Sequence, residues 1–140
     1  MAINTVLIVL FEMPVIHKLE KFNPLKIMRL GSIFFFSGFF LMQFGNSYGF
    51  AVFTILIWTI GEILLLPMCA SFIANLAPES NIGKYMGLYT FAFSFSFVIG
   101  PVLGSWVYEN INPSALWSSI GILGLFVWIR FLYLEKRFKY

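Results

Sequence analysis

Positive charge alternates along this chain, gap by gap, between five long apolar runs. The predicted membrane spans are 2–17, 27–45, 50–76, 86–108 and 115–134. All nine Lys and Arg residues lie in, or at the edges of, three alternate gaps. Lys18, Lys21, Lys26 and Arg29 flank the first, Lys84 occupies the third, and Arg130, Lys136, Arg137 and Lys139 surround the tail. The segments 45–49 and 109–114 hold no cation. Short loops rich in Lys and Arg are retained in the cytoplasm. The alternation therefore predicts cytoplasmic loops at 18–26 and 77–85 and a cytoplasmic tail at 135–140, with the N-terminus outside. The expected fold is all-α, a polytopic integral membrane protein of five transmembrane helices in one domain.

Composition agrees. Hydrophobic residues make up 60% of the chain and charged ones 11%, against about 45–50% and about 25% in soluble domains. A helix needs about 20 apolar residues to cross a hydrocarbon core of about 30 Å. Four runs reach that length, and the first is shorter. The net charge of +3 is small and confined to loops, which fits membrane orientation and leaves no case for nucleic acid. Lone Cys69 excludes a disulfide framework. With no basic segment before Ala2, and with Glu12 and Pro14 interrupting it, the first run does not read as a signal peptide. It also begins outside with no polar segment ahead of it, the expected look of a chain whose earlier part is missing.

The stretch from Phe91 to Phe97 alternates aromatic and small residues, as a half-buried strand would. It lies inside a long apolar run, however, and an open strand in lipid leaves its backbone polar groups unpaired. As a helix it places Ala92, Ser96, Gly100 and Gly104 four apart, a stripe of small residues that predicts a closely packed neighbour. Pro101 interrupts the stripe, cannot donate to the carbonyl of Phe97, and is expected to bend the helix.

Glu62 is the leading functional candidate, because it sits midway along the third span. A charge at the bilayer centre costs about 2.5–3.5 kcal/mol on insertion scales, so its side chain should face protein or a wet cavity. Thr59, one turn earlier, is placed to hydrogen-bond it, Trp58 adjoins them, and Pro67 loosens the helix just beyond. Burial disfavours an ionised carboxyl. Glu62 is thus either a proton carrier, ionised when water or a cation arrives, or a structural carboxyl tying two helices together. Glu12 is expected to pair with Lys18 or with a basic residue beyond this chain. His17 marks an interface, and nothing around it supplies a metal set. No Ser/His/Asp set, P-loop or Cys/His cluster is present, so neither an enzyme nor a cofactor is expected.

The segment Ala77-Pro78-Glu79-Ser80-Asn81-Ile82-Gly83-Lys84-Tyr85-Met86-Gly87, followed by Gly100-Pro101-Val102-Leu103-Gly104, resembles the loop before the eleventh helix, and that helix, in major facilitator superfamily transporters. Ile82 stands where that family usually has arginine. Trp58-Thr59-Ile60-Gly61-Glu62 through Pro67 resembles the tenth helix. Leu19-Glu20-Lys21-Phe22-Asn23-Pro24 resembles a degenerate acidic-basic-Gly loop motif after the eighth, with Glu20 and Lys21 in place of Asp and Arg. The resemblance implies helices eight to twelve of a twelve-helix fold built as two six-helix halves. It further implies a C-terminal portion whose N-terminal half is absent and which is inactive alone. The nearest branch is that of drug:proton antiporters, implying export of amphipathic small molecules with proton coupling. A Gly-Glu…Pro pattern also resembles proton-coupled peptide symporters. The third reading is a small non-transporting membrane protein that packs against a partner through the stripe from Ala92 to Gly104. Phe34, Phe35, Phe36, Trp58, Phe91 and Phe95 would line an apolar cavity or face lipid.

Overall fold

The computed structural model describes residues 2–19 and 21–138; Glu20 of the loop motif and Lys139 of the tail lie outside them. Five α-helices account for nearly all of it: α1 (Ala2–Leu19), α2 (Pro24–Leu41), α3 (Tyr48–Leu76), α4 (Ile82–Asn110) and α5 (Pro113–Arg137). The described residues contain no strand, and Phe91 to Phe97 is helical. By length and composition, the four helical segments Pro24–Phe44, Tyr48–Leu76, Glu79–Asn110 and Pro113–Arg137 can each cross a bilayer. The fold is a polytopic all-α membrane protein.

Helices α2, α3 and α5 begin earlier than apolar composition alone predicts, because polar caps start them. Asn23 accepts a hydrogen bond from Leu25 N at 2.9 Å and is followed by Pro24, so α2 starts three residues before the apolar run. Ser47 caps α3 through Phe50 N, and Asn112 caps α5 through Ala115 N ahead of Pro113. Side-chain oxygens satisfy N–H groups that the first turn leaves unpaired, and proline fits the first helical position. The connection before α4 is also short. Pro78 accepts from Asn81 N at 2.8 Å across a 3₁₀ turn, and α4 starts at Ile82, inside the segment expected to be loop.

Helix α2 is the spine, packed along α3 on one side and α5 on the other. Its approach to both depends on glycine. A Cβ at Gly61 would fall on the backbone of Phe35, and one at Gly38 would lie 2.7 Å from Trp58 N. Gly124 meets Phe36 in the same way from α5. At the basic end, Leu25, Ile27 and Met28 of α2 pack with Leu65, Met68 and Phe72 of α3 into the buried core. Beside it, Arg29 Nη1 lies 2.7 Å from Glu135 Oε2 and joins α2 to α5.

Helix α4 is different. None of its residues is buried, and among the described helices it packs chiefly against α3 and α5. Both α3 and α4 stay helical through their prolines, Pro67 and Pro101.

Gly61→Ala should cost about 1–3 kcal/mol, the usual penalty for overpacking. Gly49→Ala, where nothing lies within 4 Å of the added carbon, should cost nothing. Thermal unfolding in detergent, followed by circular dichroism, compares the two.

Candidate functional site

Glu62 is the central residue of α3, which runs from Tyr48 to Leu76. Its carboxylate meets a residue that the motif analysis did not single out. Asn4, on α1, donates from Nδ2 to Glu62 Oε2 at 2.8 Å and to Thr59 Oγ1 at 3.0 Å. Asn4 and Thr59 are buried, Thr59 almost completely. Glu62 is half-buried. Thr59 does not bond Glu62 directly as expected, because its single proton goes to the carbonyl of Ile55 at 2.7 Å. Its oxygen is left to accept, and Asn4 supplies the donor for both groups.

The cluster is therefore a bridge between helices, built from one amide, one hydroxyl and one carboxylate. An amide nitrogen carries two hydrogens, and here each has its own acceptor. Beside the cluster, an apolar hollow of about 370 Å³ opens between α1 and α3, lined by Leu7, Phe11, Leu56, Ile60 and Thr59. The signal for Asn4 was in the sequence, since a lone amide within an apolar run must find a partner or face a cavity.

The remaining candidates are placed elsewhere. Trp58 turns toward α2, where its ring lies 4.7 Å from Phe39 and 6.3 Å from Phe35. Its indole Nε1 is buried there without a hydrogen-bond partner. Glu12 is half-buried on α1 and forms no ion pair with Lys18. Lys21 is exposed at the rim of a cavity of about 760 Å³ between the α1–α2 connection and α3, which Pro67 also lines. Pro78, Glu79, Gly83, Lys84 and Gly87 are all exposed, the last three on the first turns of α4.

Along the stripe, Ala92, Ser96 and Gly100 face no other helix among the described residues. Nothing lies within 4 Å of a carbon added at Gly100, and only Leu116 Cδ1, at 3.9 Å, approaches one at Gly104. The hydroxyl of Ser96 donates to the carbonyl of Ala92 in its own helix. Phe91 and Phe95 stack on each other at 6.0 Å and are exposed. Among the described residues no group of three or more His, Cys, Asp or Glu side chains is arranged to hold a metal ion.

Sequence comparison decides what kind of membrane protein this is. The profile of the Major Facilitator Superfamily matches residues 1–139. The chain belongs to that superfamily. It is 30% identical to the uncharacterized MFS-type transporter YttB of Bacillus subtilis over 139 residues, 98% of this chain and 35% of that one. It is 30% identical to Multidrug resistance protein 3 of the same organism over 127 residues, 88% of this chain and 25% of that one. A third relative, the uncharacterized MFS-type transporter YqjV, is 26% identical over 107 residues, 76% of this chain and 25% of that one. The chain thus spans between a quarter and about a third of the length of these relatives. Comparison with solved structures finds no match. Major facilitator proteins are multi-pass proteins of the cell membrane, and membership makes this chain part of a family of transporters.

Removing Asn4 leaves Glu62 and Thr59 without their shared donor. Asn4→Leu should cost about 1–3 kcal/mol, the penalty for an orphaned buried polar group. Pairing it with Glu62→Leu and Thr59→Val should recover most of that loss, because an all-apolar contact strands nothing. A mutant cycle on thermal unfolding in detergent measures the coupling.

Proposed function

We propose that this chain forms the last five helices of a proton-coupled major facilitator transporter that exports amphipathic small molecules by alternating access. The observation that carries this reading is the carboxylate at the midpoint of α3, held by an amide from another helix. Glu62 is the proton-coupling group. Asn4 and Thr59 orient it, and the apolar hollow beside them receives the hydrocarbon part of a substrate. The likeness to Multidrug resistance protein 3 supports export of amphipathic compounds over peptide uptake.

Alternating access requires two halves rocking about a midplane site. By its length relative to the relatives above, this chain supplies less than one half. The exposed stripe of α4 is a surface that the seven other helices cover. On its own, the chain inserts in the membrane and does not transport. Its basic end faces the cytoplasm, by the retention of Lys and Arg on that side.

In everted vesicles carrying the intact transporter, Glu62→Gln should lower proton-driven dye accumulation at least tenfold, and Glu62→Asp should retain part of it. Accumulation by the Gln variant at the parental rate, with an unchanged pH profile, would refute the coupling role. Accumulation of labelled dipeptide in place of dye would favour the symporter reading. For orientation, single cysteines at Asn46 and Asn112 should react with impermeant maleimide from outside only, and one at Lys84 from the cytosol only.

A further inference from the structure

A groove of about 510 Å³ runs between α2 and α5, away from the Asn4–Glu62 cluster, with walls that include Ile33, Phe36, Phe40, Leu125 and Trp128. Gly121 and Gly124 form its floor, and the rings of Phe40 and Phe36 occupy the space that a Cβ at either position would need. Two serines also line it, yet neither has a free proton. Ser32 donates to the carbonyl of Arg29 at 2.8 Å and Ser37 to that of Phe34 at 3.1 Å. The surface presented is effectively hydrocarbon. From Ser32 to Phe40 the wall is about 12 Å long at the helical rise of 1.5 Å per residue. That is within the depth of one leaflet, about half of the 30 Å core.

The groove ends in charge. One turn beyond Ser32, the Arg29–Glu135 pair straps α2 to α5. Lys26 lies a further turn along α2, on the side of Arg29. Lys136 follows Glu135 and shares a face of α5 with Leu125 and Leu132 by helical spacing. Both lysines are exposed and neither has a partner among the described residues. With Glu135 spent on Arg29, the mouth keeps two uncompensated cations above a hydrocarbon slot.

We propose that this groove holds one acyl chain of an anionic phospholipid, with the headgroup phosphate between Lys26 and Lys136. The slot selects for hydrocarbon and its mouth selects for negative charge; the combination describes a lipid and not a free anion. Basic pockets between membrane helices are established headgroup sites, and the groove volume is that of an ordinary small-molecule pocket. The assignment does not depend on Glu62 or on transport.

The test is native mass spectrometry of the whole chain in detergent, titrated with dioleoyl phosphatidylglycerol against dioleoyl phosphatidylcholine. Wild type should retain the anionic lipid preferentially. The K26Q/K136Q double variant should lose that preference by about tenfold or more. Glu135→Gln, which releases Arg29, should increase it. Ile122→Trp fills the groove from a position already 70% exposed, and should lower retention of both lipids. Lys84→Gln, on α4 and outside the groove lining, should change nothing. Equal retention of the two lipids by wild type would overturn the proposal. So would a Lys84→Gln loss as large as that of the double variant, or undiminished binding by Ile122→Trp.

Discussion

The close approach of α2 to its neighbours organises this molecule. In lipid, an apolar side chain gains little by turning from the bilayer toward another helix, since both environments are hydrocarbon; association comes from packing and polar contacts. Glycine is the residue that permits backbones to meet, and it stands on α2 at Gly31 and Gly38, on α3 at Gly61, and on α5 at Gly121 and Gly124, each against a neighbouring helix. With the Gly61 and Trp58 side of α3 taken by α2, the adjoining Thr59 and Glu62 side is left for α1. The position of the carboxylate cluster is therefore a consequence of where the glycines are.

The same residue type reads differently on α4. Gly83, Gly87 and Gly100 have open space where a side chain would be, although Ala92, Ser96, Gly100 and Gly104 make as regular a small-residue face as any in the chain. A stripe of this kind encodes the ability to be approached closely. It does not encode which helix approaches. On α2 the partner is within the chain, and on α4 it is not among the described residues.

The helices, their order and the membrane-spanning length of four of them were legible, because apolar run length is a property of single segments. Their ends were legible to within a few residues. The early starts of α2, α3 and α5 share a cause: Asn23, Ser47 and Asn112 cap these helices from polar gaps, and apolar run length does not register a cap. Glu62 stood out by depth alone. Its partner did not, since Asn4 is separated from it by 58 positions, and no local spacing links them. Thr59 was rightly placed on the side of Glu62 but was assigned the wrong bond, because its proton has a nearer acceptor at Ile55. The Arg29–Glu135 pair was equally hidden, each member looking like one more interfacial charge.

These two acids, one central and one at the basic end, have partners of different kinds, and the difference bears on what each can do. Glu135 faces a guanidinium, which is always charged and can only donate. That pairing suits a strap between helices. Glu62 faces a neutral amide. Asn4 donates through Nδ2 to Glu62 Oε2, and a protonated carboxyl would keep an oxygen able to accept that bond, so neither form of Glu62 strands the amide or its bond to Thr59. A group that carries protons has to be stable in both forms at one site without stranding a buried partner. A fixed cation does not meet that condition and an amide does. The neutrality of Asn4, more than the depth of Glu62, is the physical basis for proposing the coupling role for the central acid and not for Glu135.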